Sequence, residues 1–284
     1  MSETAIGTTM YIRGVGSGIN QGFEQSVGMY RDGIYYGRAQ LARAPIFDVE
    51  RVEVLRGPQV TLFGNNSIGG AINITTAAPT KYFESSISAL KDINHGELEK
   101  TFYVSGPITE DISARLSIRD YGMDGYLDNL TLNEKEPYRD FLTTRLKFKF
   151  EPSNFEFMNM ELTLEQSDFD VKGRQIVIIE DEPSLGYATS TTNYVSGAMT
   201  GQTLGEIFSD FLRVGGNTVV GDDFESRYSN KDYSFNEIES VTLTTNIFLG
   251  DYELQIINGL LEYNYNDACD CDFTGADLIQ YESD

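Results

Sequence analysis

Four runs in the later part of the chain alternate apolar and polar residues with period two. Ile112, Ala114, Leu116 and Ile118 alternate with Ser113, Arg115, Ser117 and Arg119. Leu142, Thr144, Leu146, Phe148 and Phe150 alternate with Thr143, Arg145, Lys147 and Lys149. Met158, Met160, Leu162 and Leu164 alternate with Asn159, Glu161, Thr163 and Glu165, and Val241, Leu243, Thr245, Ile247 and Leu249 with Thr242, Thr244 and Asn246. Successive side chains of a strand point to opposite faces, so each run predicts a β-strand with one greasy and one wet face. The runs are about 10 residues long, the span of a tilted strand crossing a bilayer. The pattern directs Leu146, Phe148 and Phe150 toward lipid and Arg145, Lys147 and Lys149 toward a wet interior.

The connections between runs fall into two classes. Gly106–Glu110, Glu151–Asn154 and Gly250–Asp251 make tight turns, whereas 122–139, 168–236 and 264 onward are long. Short turns at one end and long loops at the other are the habit of membrane barrels. A soluble sandwich also alternates hydrophobicity, but has no reason to gather its long loops at one end. About seven strands are expected on this pattern. Within the longest loop, Leu204, Ile207, Phe208, Phe211 and Leu212 have helical spacing, which predicts a short amphipathic helix over 203–213.

Residues before about Pro79 read differently. Val49 to Leu55 is a short strand stopped by Arg56-Gly57-Pro58, and Ile68 to Ile74 is another, entered through glycines. Tyr30-Arg31-Asp32-Gly33-Ile34-Tyr35-Tyr36 places Asp-Gly between β-rich runs, a hairpin signal. Ala39 to Ala44 fits a helical turn. This part predicts a small mixed α/β unit.

Composition narrows the classes. The 284 residues carry a formal charge of −23, which excludes binding nucleic acid through phosphate neutralisation. No run approaches the 18 or so apolar residues of a membrane helix, which leaves a barrel open. Residues 1–20 lack the basic and apolar regions of a signal peptide. One histidine, His95, offers little for a multi-histidine metal site or a histidine base. Cys269-Asp270-Cys271, flanked by Asp267 and Asp272, reads as a local loop disulfide in preference to a metal site. Gly57 to Gly64 lacks the Gly-Lys-Ser/Thr ending of a phosphate loop, and Gly14, Gly16 and Gly18 lack dinucleotide spacing. No cofactor, metal or catalytic cluster is expected, so a soluble β-rich enzyme is the weakest reading.

Asp48-Val49-Glu50-Arg51-Val52-Glu53-Val54-Leu55-Arg56-Gly57-Pro58-Gln59-Val60-Thr61-Leu62-Phe63-Gly64, followed by Ser67-Ile68-Gly69-Gly70-Ala71-Ile72-Asn73-Ile74, resembles the plug-domain signature of TonB-dependent outer-membrane receptors. Tyr11-Ile12-Arg13-Gly14-Val15-Gly16 and Tyr30 to Tyr36 resemble two further plug motifs in the family's order. Departures are Val60 where glycine is usual, Asn65 for arginine and Ser67 for alanine; Val60 would strain a turn that requires glycine. The resemblance marks Arg13, Gly14, Asp32, Gly33, Glu50, Arg51, Glu53, Arg56, Gly57, Pro58, Gly64, Gly69 and Gly70 as plug-motif residues.

The resemblance implies a mixed α/β plug domain over 1–80, its C-terminal part, followed over 81–284 by antiparallel transmembrane strands of an incomplete barrel. Such barrels have about 22 strands, more than the residues after 80 supply, and the front lacks a TonB box, so a fragment of a longer product is expected. Implied partners are outer-membrane lipid, an inner-membrane TonB-type energy-transducing complex engaged through an N-terminal segment, and a small ligand such as a ferric siderophore, with haem, cobalamin or glycans as other family cargo. A non-transport surface receptor or adhesin is the alternative. Of the plug charges Arg13, Glu50, Arg51, Glu53 and Arg56, some are expected to face a polar wall and, as a group, to hold the plug by ion pairs and hydrogen bonds without a greasy seal; ordinary surface charge is the alternative for any single one. The ligand is expected near Arg31–Tyr36 and the long loops. Residues 264–284 hold six acids and no base, which disfavours an anionic chelate there.

Overall fold

The computed structural model describes residues 2–3, 8–17, 24–43, 45–64, 66–154, 157–173, 226–227, 229–270 and 280–283. The helix expected over 203–213, Asn65 and Cys271 lie outside them.

After a short antiparallel pair, Ser2–Glu3 with Thr8–Thr9, comes a four-stranded mixed sheet. It contains β1 (Val27–Arg31), β2 (Ile34–Tyr35), β3 (Val49–Arg56) and β4 (Gly70–Thr76), in the order β2-β1-β4-β3. Strand β1 runs parallel to β4, and the other pairs are antiparallel. Asp32 and Gly33 join β1 to β2 with φ of 46° and 82°. Both values are positive, as a two-residue hairpin of matching twist requires, and Asp-Gly supplies them at low cost. Helix is scarce: a 3₁₀ turn at Leu41–Arg43, inside the expected helical turn, and the single turn α1 (Val60–Phe63). Val60 opens α1 without positive φ, so the strain expected of it does not arise; the positive values fall on Gly57 and Gly64 at either side.

Eight antiparallel strands follow: β5 (Glu84–Lys91), β6 (Leu98–Pro107), β7 (Ile112–Met123), β8 (Tyr138–Phe150), β9 (Met158–Lys172), β10 (Tyr233–Leu249), β11 (Tyr252–Asp270) and β12 (Gln280–Ser283). Each pairs with its neighbours in sequence, forming an open wall with β5 and β12 at its edges among the described residues. Turns at 108–111 and 250–251 lie at one end, and the longer connections lie at the other.

Several strands run well past the expected 10 or so residues, because the pattern inverts along them. In the half near the short turns, the outward rows are apolar. Leu116, Leu146, Leu164, Val241 and Leu260 share one transverse row, and Ile112, Phe150, Met160, Thr245 and Ile256 another. The inward residues there are Arg115, Lys147, Thr163 and Thr242, all buried. In the half near the long connections the faces exchange. Tyr121, Met123, Phe141, Phe169, Val171 and Ile238 point inward and are buried, while Asp120, Asp140, Asp168, Asp170 and Glu237 stand on the opposite face. Antiparallel pairing continues through the exchange in unbroken register. The side chains invert with no change in backbone. A period-two reading stops where the inversion begins, so the connections expected at 122–139 and 168–236 shorten to 124–137 and 173–232. The first of these holds a small antiparallel pair, Leu127–Asn129 with Glu134–Glu136.

Val241 to Leu249 rises about 27 Å along the strand. At a tilt near 40° this spans about 21 Å along the barrel axis, most of the roughly 25 Å apolar band of a membrane barrel. Leu146 and Phe148 face outward and Arg145 and Lys147 inward, as the alternation predicted.

Candidate functional site: the seam between the small sheet and the wall

The inward face of the wall holds the small sheet through three ionic clusters, each built from one residue of the N-terminal unit and two of the wall.

Glu165 on β9 lies directly opposite Arg145 on β8, a pairing set by the turn that joins the two strands. Arg145 Nε donates to Glu165 Oε2 at 2.6 Å, and Arg31 Nη1, from the end of β1, donates to Oε1. These three side chains are 2–4% exposed. Arg145 Nη1 also donates to the Phe47 carbonyl at 3.1 Å, and its guanidinium lies 4.6 Å over the Phe47 ring. Arg31 Nη2 donates to the Pro45 carbonyl at 2.9 Å. One carboxylate thus bridges two buried cations and leaves the cluster a net positive charge, and backbone carbonyls take up further N–H groups.

The second cluster has the opposite sign. Arg115 on β7 grips Asp48 with two donors, Nε to Oδ2 at 2.8 Å and Nη2 to Oδ1 at 2.5 Å. Its Nη1 donates to Glu84 Oε1 at 2.7 Å, and Ser117 adds a hydroxyl to Asp48. The Arg115 guanidinium sits 3.9 Å over the Tyr103 ring. In the third cluster Lys147 Nζ lies 2.7 Å from Glu161 and 3.3 Å from Asp32 Oδ2. Asp32 also accepts the Thr76 amide at 2.9 Å and the Thr76 hydroxyl at 2.5 Å.

Burial by itself would raise both plug-side carboxyls. The Lys147 ammonium and the Thr76 hydrogen bonds outweigh it and hold Asp32 below the usual carboxylate range. For Asp48 the Arg115 and Ser117 hydrogen bonds do the same. Both are carboxylates at neutral pH.

Nearer the long connections the seam becomes greasy. Met10, Ile12, Leu41 and Ala42 belong to one apolar cluster with Tyr121, Met123, Phe141, Phe169, Val171 and Ile238 of the wall. The Tyr121 and Phe141 rings stack at 5.4 Å, and Phe141 meets Phe169 edge-on at 5.1 Å. The expectation of a contact without an apolar seal is therefore corrected. Ions dominate one level and apolar packing the other.

Of the residues marked by the sequence, Asp32 and Gly33 reach the wall. Gly69 and Gly70 are buried where β4 begins, Gly57 and Pro58 carry the chain from β3 to α1, and Gly64 ends α1. Arg13 and Gly14 are exposed at the tip of a tight turn between bridged Ile12 and Val15. Glu50, Arg51, Glu53 and Arg56 lie exposed on β3. Arg51 pairs there with Glu50 at 3.3 Å and Glu53 at 3.6 Å, and Glu53 accepts from Asn73. Arg13, Glu50, Arg51, Glu53 and Arg56 make no ion pair with the described strands of the wall; Arg31, Asp32 and Asp48 make the ion pairs there. Asp48 sat within the recognised motifs without being singled out, Arg31 was read only as lying near the ligand, and Glu165 was read only as one more wet-face residue. Arg31 and Tyr36 are buried, at 3% and 2% exposure, and so do not present a ligand-binding apex. Cys269 is disulfide-bonded.

Residues 2–71 match the family model of the TonB-dependent receptor plug domain. The ferric enterobactin receptor PirA of Pseudomonas aeruginosa is 36% identical over 90 residues, covering 30% of this chain and 12% of PirA. The pesticin receptor of Yersinia pestis is 35% identical over 107 residues, covering 36% of this chain and 15% of the receptor. The crystal structure of the ferric yersiniabactin uptake receptor FyuA from Yersinia pestis superposes with a TM-score of 0.67 at 19% identity, over 94% of this chain and 36% of FyuA. The chain thus spans a small part of the curated relatives and about a third of the solved receptor. Residues 2–71 thus match the TonB-dependent receptor plug domain, and the chain has the fold of a solved outer-membrane receptor over nearly its whole length.

Proposed function

We propose that this chain supplies the plug, with 1–80 as its C-terminal part, and the first wall strands, 81–284, of a receptor that imports a scarce ligand such as a ferric siderophore. The carrying observation is the ionic half of the seam. A plug that only had to stay in place would be served as well by apolar packing, because desolvation offsets much of the gain of a buried ion pair. Directional ionic contacts fix one position of the plug and give an external pull discrete bonds to exchange. Nothing recognisable in the sequence binds a nucleotide, so the pull is assigned to an inner-membrane TonB-type complex acting through the plug's N-terminal side. The iron-siderophore reading leans on the ferric enterobactin and ferric yersiniabactin receptors among the relatives.

The test is uptake by cells carrying the full-length receptor. Radiolabelled iron is offered on a catecholate and on a hydroxamate siderophore, with and without a protonophore. Binding is expected to survive the protonophore and accumulation to stop. Accumulation at an unchanged rate would reject energy coupling, and absence of binding to every ferric chelate offered would reject the iron reading.

A further inference from the structure

Wall strand β11 contains a glycine that its own backbone does not require. Gly259 lies in mid-strand opposite Thr242, outside the positive-φ region. Glycine weakens a strand interior, and often marks the close approach of another segment. Here the segment is the β1–β2 hairpin of the plug. A Cβ on residue 259 would collide with Ile34 Cδ1 and lie 2.8 Å from its Cγ1. The contact is reciprocated one turn residue away, where a Cβ on Gly33 would lie 2.5 Å from Cδ1 of Ile257. Ile34 of the plug sits over Gly259 of the wall, and Ile257 of the wall sits over Gly33 of the plug.

Beside this double key lies a cavity of about 670 Å³ between plug and wall. Gly33 and Ile257 form part of its lining, and Asn73, Thr75, Lys149, Asn159, Glu161 and Gln255 make much of the rest polar. The hairpin tip is also the part of the seam that yields most easily. Strand β2 is an edge strand of two residues. If the tip withdraws, Lys147 keeps Glu161, and Asp32 keeps both hydrogen bonds from Thr76. Asp32 gives up its 3.3 Å contact with Lys147 in this movement, whereas displacing Arg31 at the hairpin base would break the closer and more deeply buried pair with Glu165.

We propose that the β1–β2 hairpin is a latch: reciprocal glycine–isoleucine contacts key its tip into β11, and its withdrawal opens the adjoining polar cavity as a passage for small hydrophilic solutes between plug and wall. The proposal rests on the transport reading above and adds the place where the plug gives way. The ionic clusters fix the body of the plug, and the apolar key sets the closed position of the tip.

The test uses the full-length receptor in planar bilayers, with potassium chloride as the permeant. Ion current requires neither a cognate ligand nor the energy partner, so its outcome is separate from that of the uptake experiment. Gly259→Val removes the socket for Ile34 and is expected to raise the resting conductance several-fold. Wild-type conductance in a folded Gly259→Val receptor would overturn the latch. The pair Ile34→Cys with Gly259→Cys serves if the valine variant does not fold. Ile34 Cγ1 and Cγ2 lie 2.8 and 3.6 Å from a Cβ at 259, which places the two Cβ atoms roughly 4 Å apart, within disulfide reach. Under oxidation the cross-linked receptor is expected to stay closed in urea concentrations that open the wild type, and a reductant is expected to restore opening. Gly259→Cys alone, treated in the same way, controls for the native disulfide at Cys269. Failure of the pair to cross-link in a folded receptor, or equal opening of the linked and reduced forms, would overturn the proposal.

Discussion

The two halves of the wall strands are built on opposite plans. From Val241 to Leu249, and along the matching stretches of β7, β8 and β9, apolar residues face out and charges face in. A few residues farther along the same strands, Phe141, Phe169 and Val171 face in and Asp140, Asp168 and Asp170 face out. Solvent explains the difference. The first half has the apolar outer face that hydrocarbon demands, and its inner face has polar work to do. The second half has left the bilayer and folds like a soluble sheet, with a core inside and water outside. The plug meets both halves. It is held by ions where the wall is inside out and by packing where the wall is ordinary.

The two kinds of contact respond to different perturbations. The largest effect is expected at Glu165. Glu165→Ala leaves Arg31 and Arg145 buried without their carboxylate, and the loss of plug stability should be about 3–5 kcal/mol. Hydrogen exchange at the β1 amides of the full-length receptor measures it. Unchanged protection would mean that the ionic half contributes little. Phe141→Ala tests the apolar half, with an expected loss of about 3 kcal/mol from the cavity and the lost burial. This loss should be insensitive to salt. A strong salt dependence would show that the two halves are not separate.

The inversion itself is tested by arginine on the outer face. Leu164→Arg places a charge in the apolar band and should cost about 2–4 kcal/mol if it lies near mid-bilayer. Arginine at the outward Asp168 position, past the inversion, should cost far less. Equal costs, read from equilibrium unfolding in lipid, would abolish the boundary drawn here between the two halves. The smallest effect concerns pH. Asp32 and Asp48 are held below their ordinary carboxylate values. Their contribution is therefore complete above the unfolded pKa of about 4 and is lost as pH falls through the lower folded values. Plug protection should stay constant from neutrality down to about pH 5 and weaken only below about pH 4. Weakening near pH 6 would point to a different group.

Much of this was legible before any coordinates. Period two in four runs gave strand identity and facing, because lipid and lumen demand opposite surfaces of a pleated backbone. Asp32-Gly33 gave the hairpin, because few residue pairs accept positive φ twice in succession. The plug signature gave the domain family of residues 2–71. The extent of the strands was hidden, since the pattern inverts and a periodic reading stops there. The ionic seam was hidden for another reason. Arg145, Lys147 and Arg115 were visible as wet-face residues, but their partners come from segments some 70 to 130 residues away, and no local rule brings Arg31 to Glu165 or Asp48 to Arg115. Glu50, Arg51, Glu53 and Arg56 had the right chemistry and lie on a strand that turns from this part of the wall. The sequence by itself determined which side of each strand is apolar, because that depends on each residue's own transfer free energy. Only the tertiary structure decided which charges meet across the seam, because that depends on how the plug is seated in the wall.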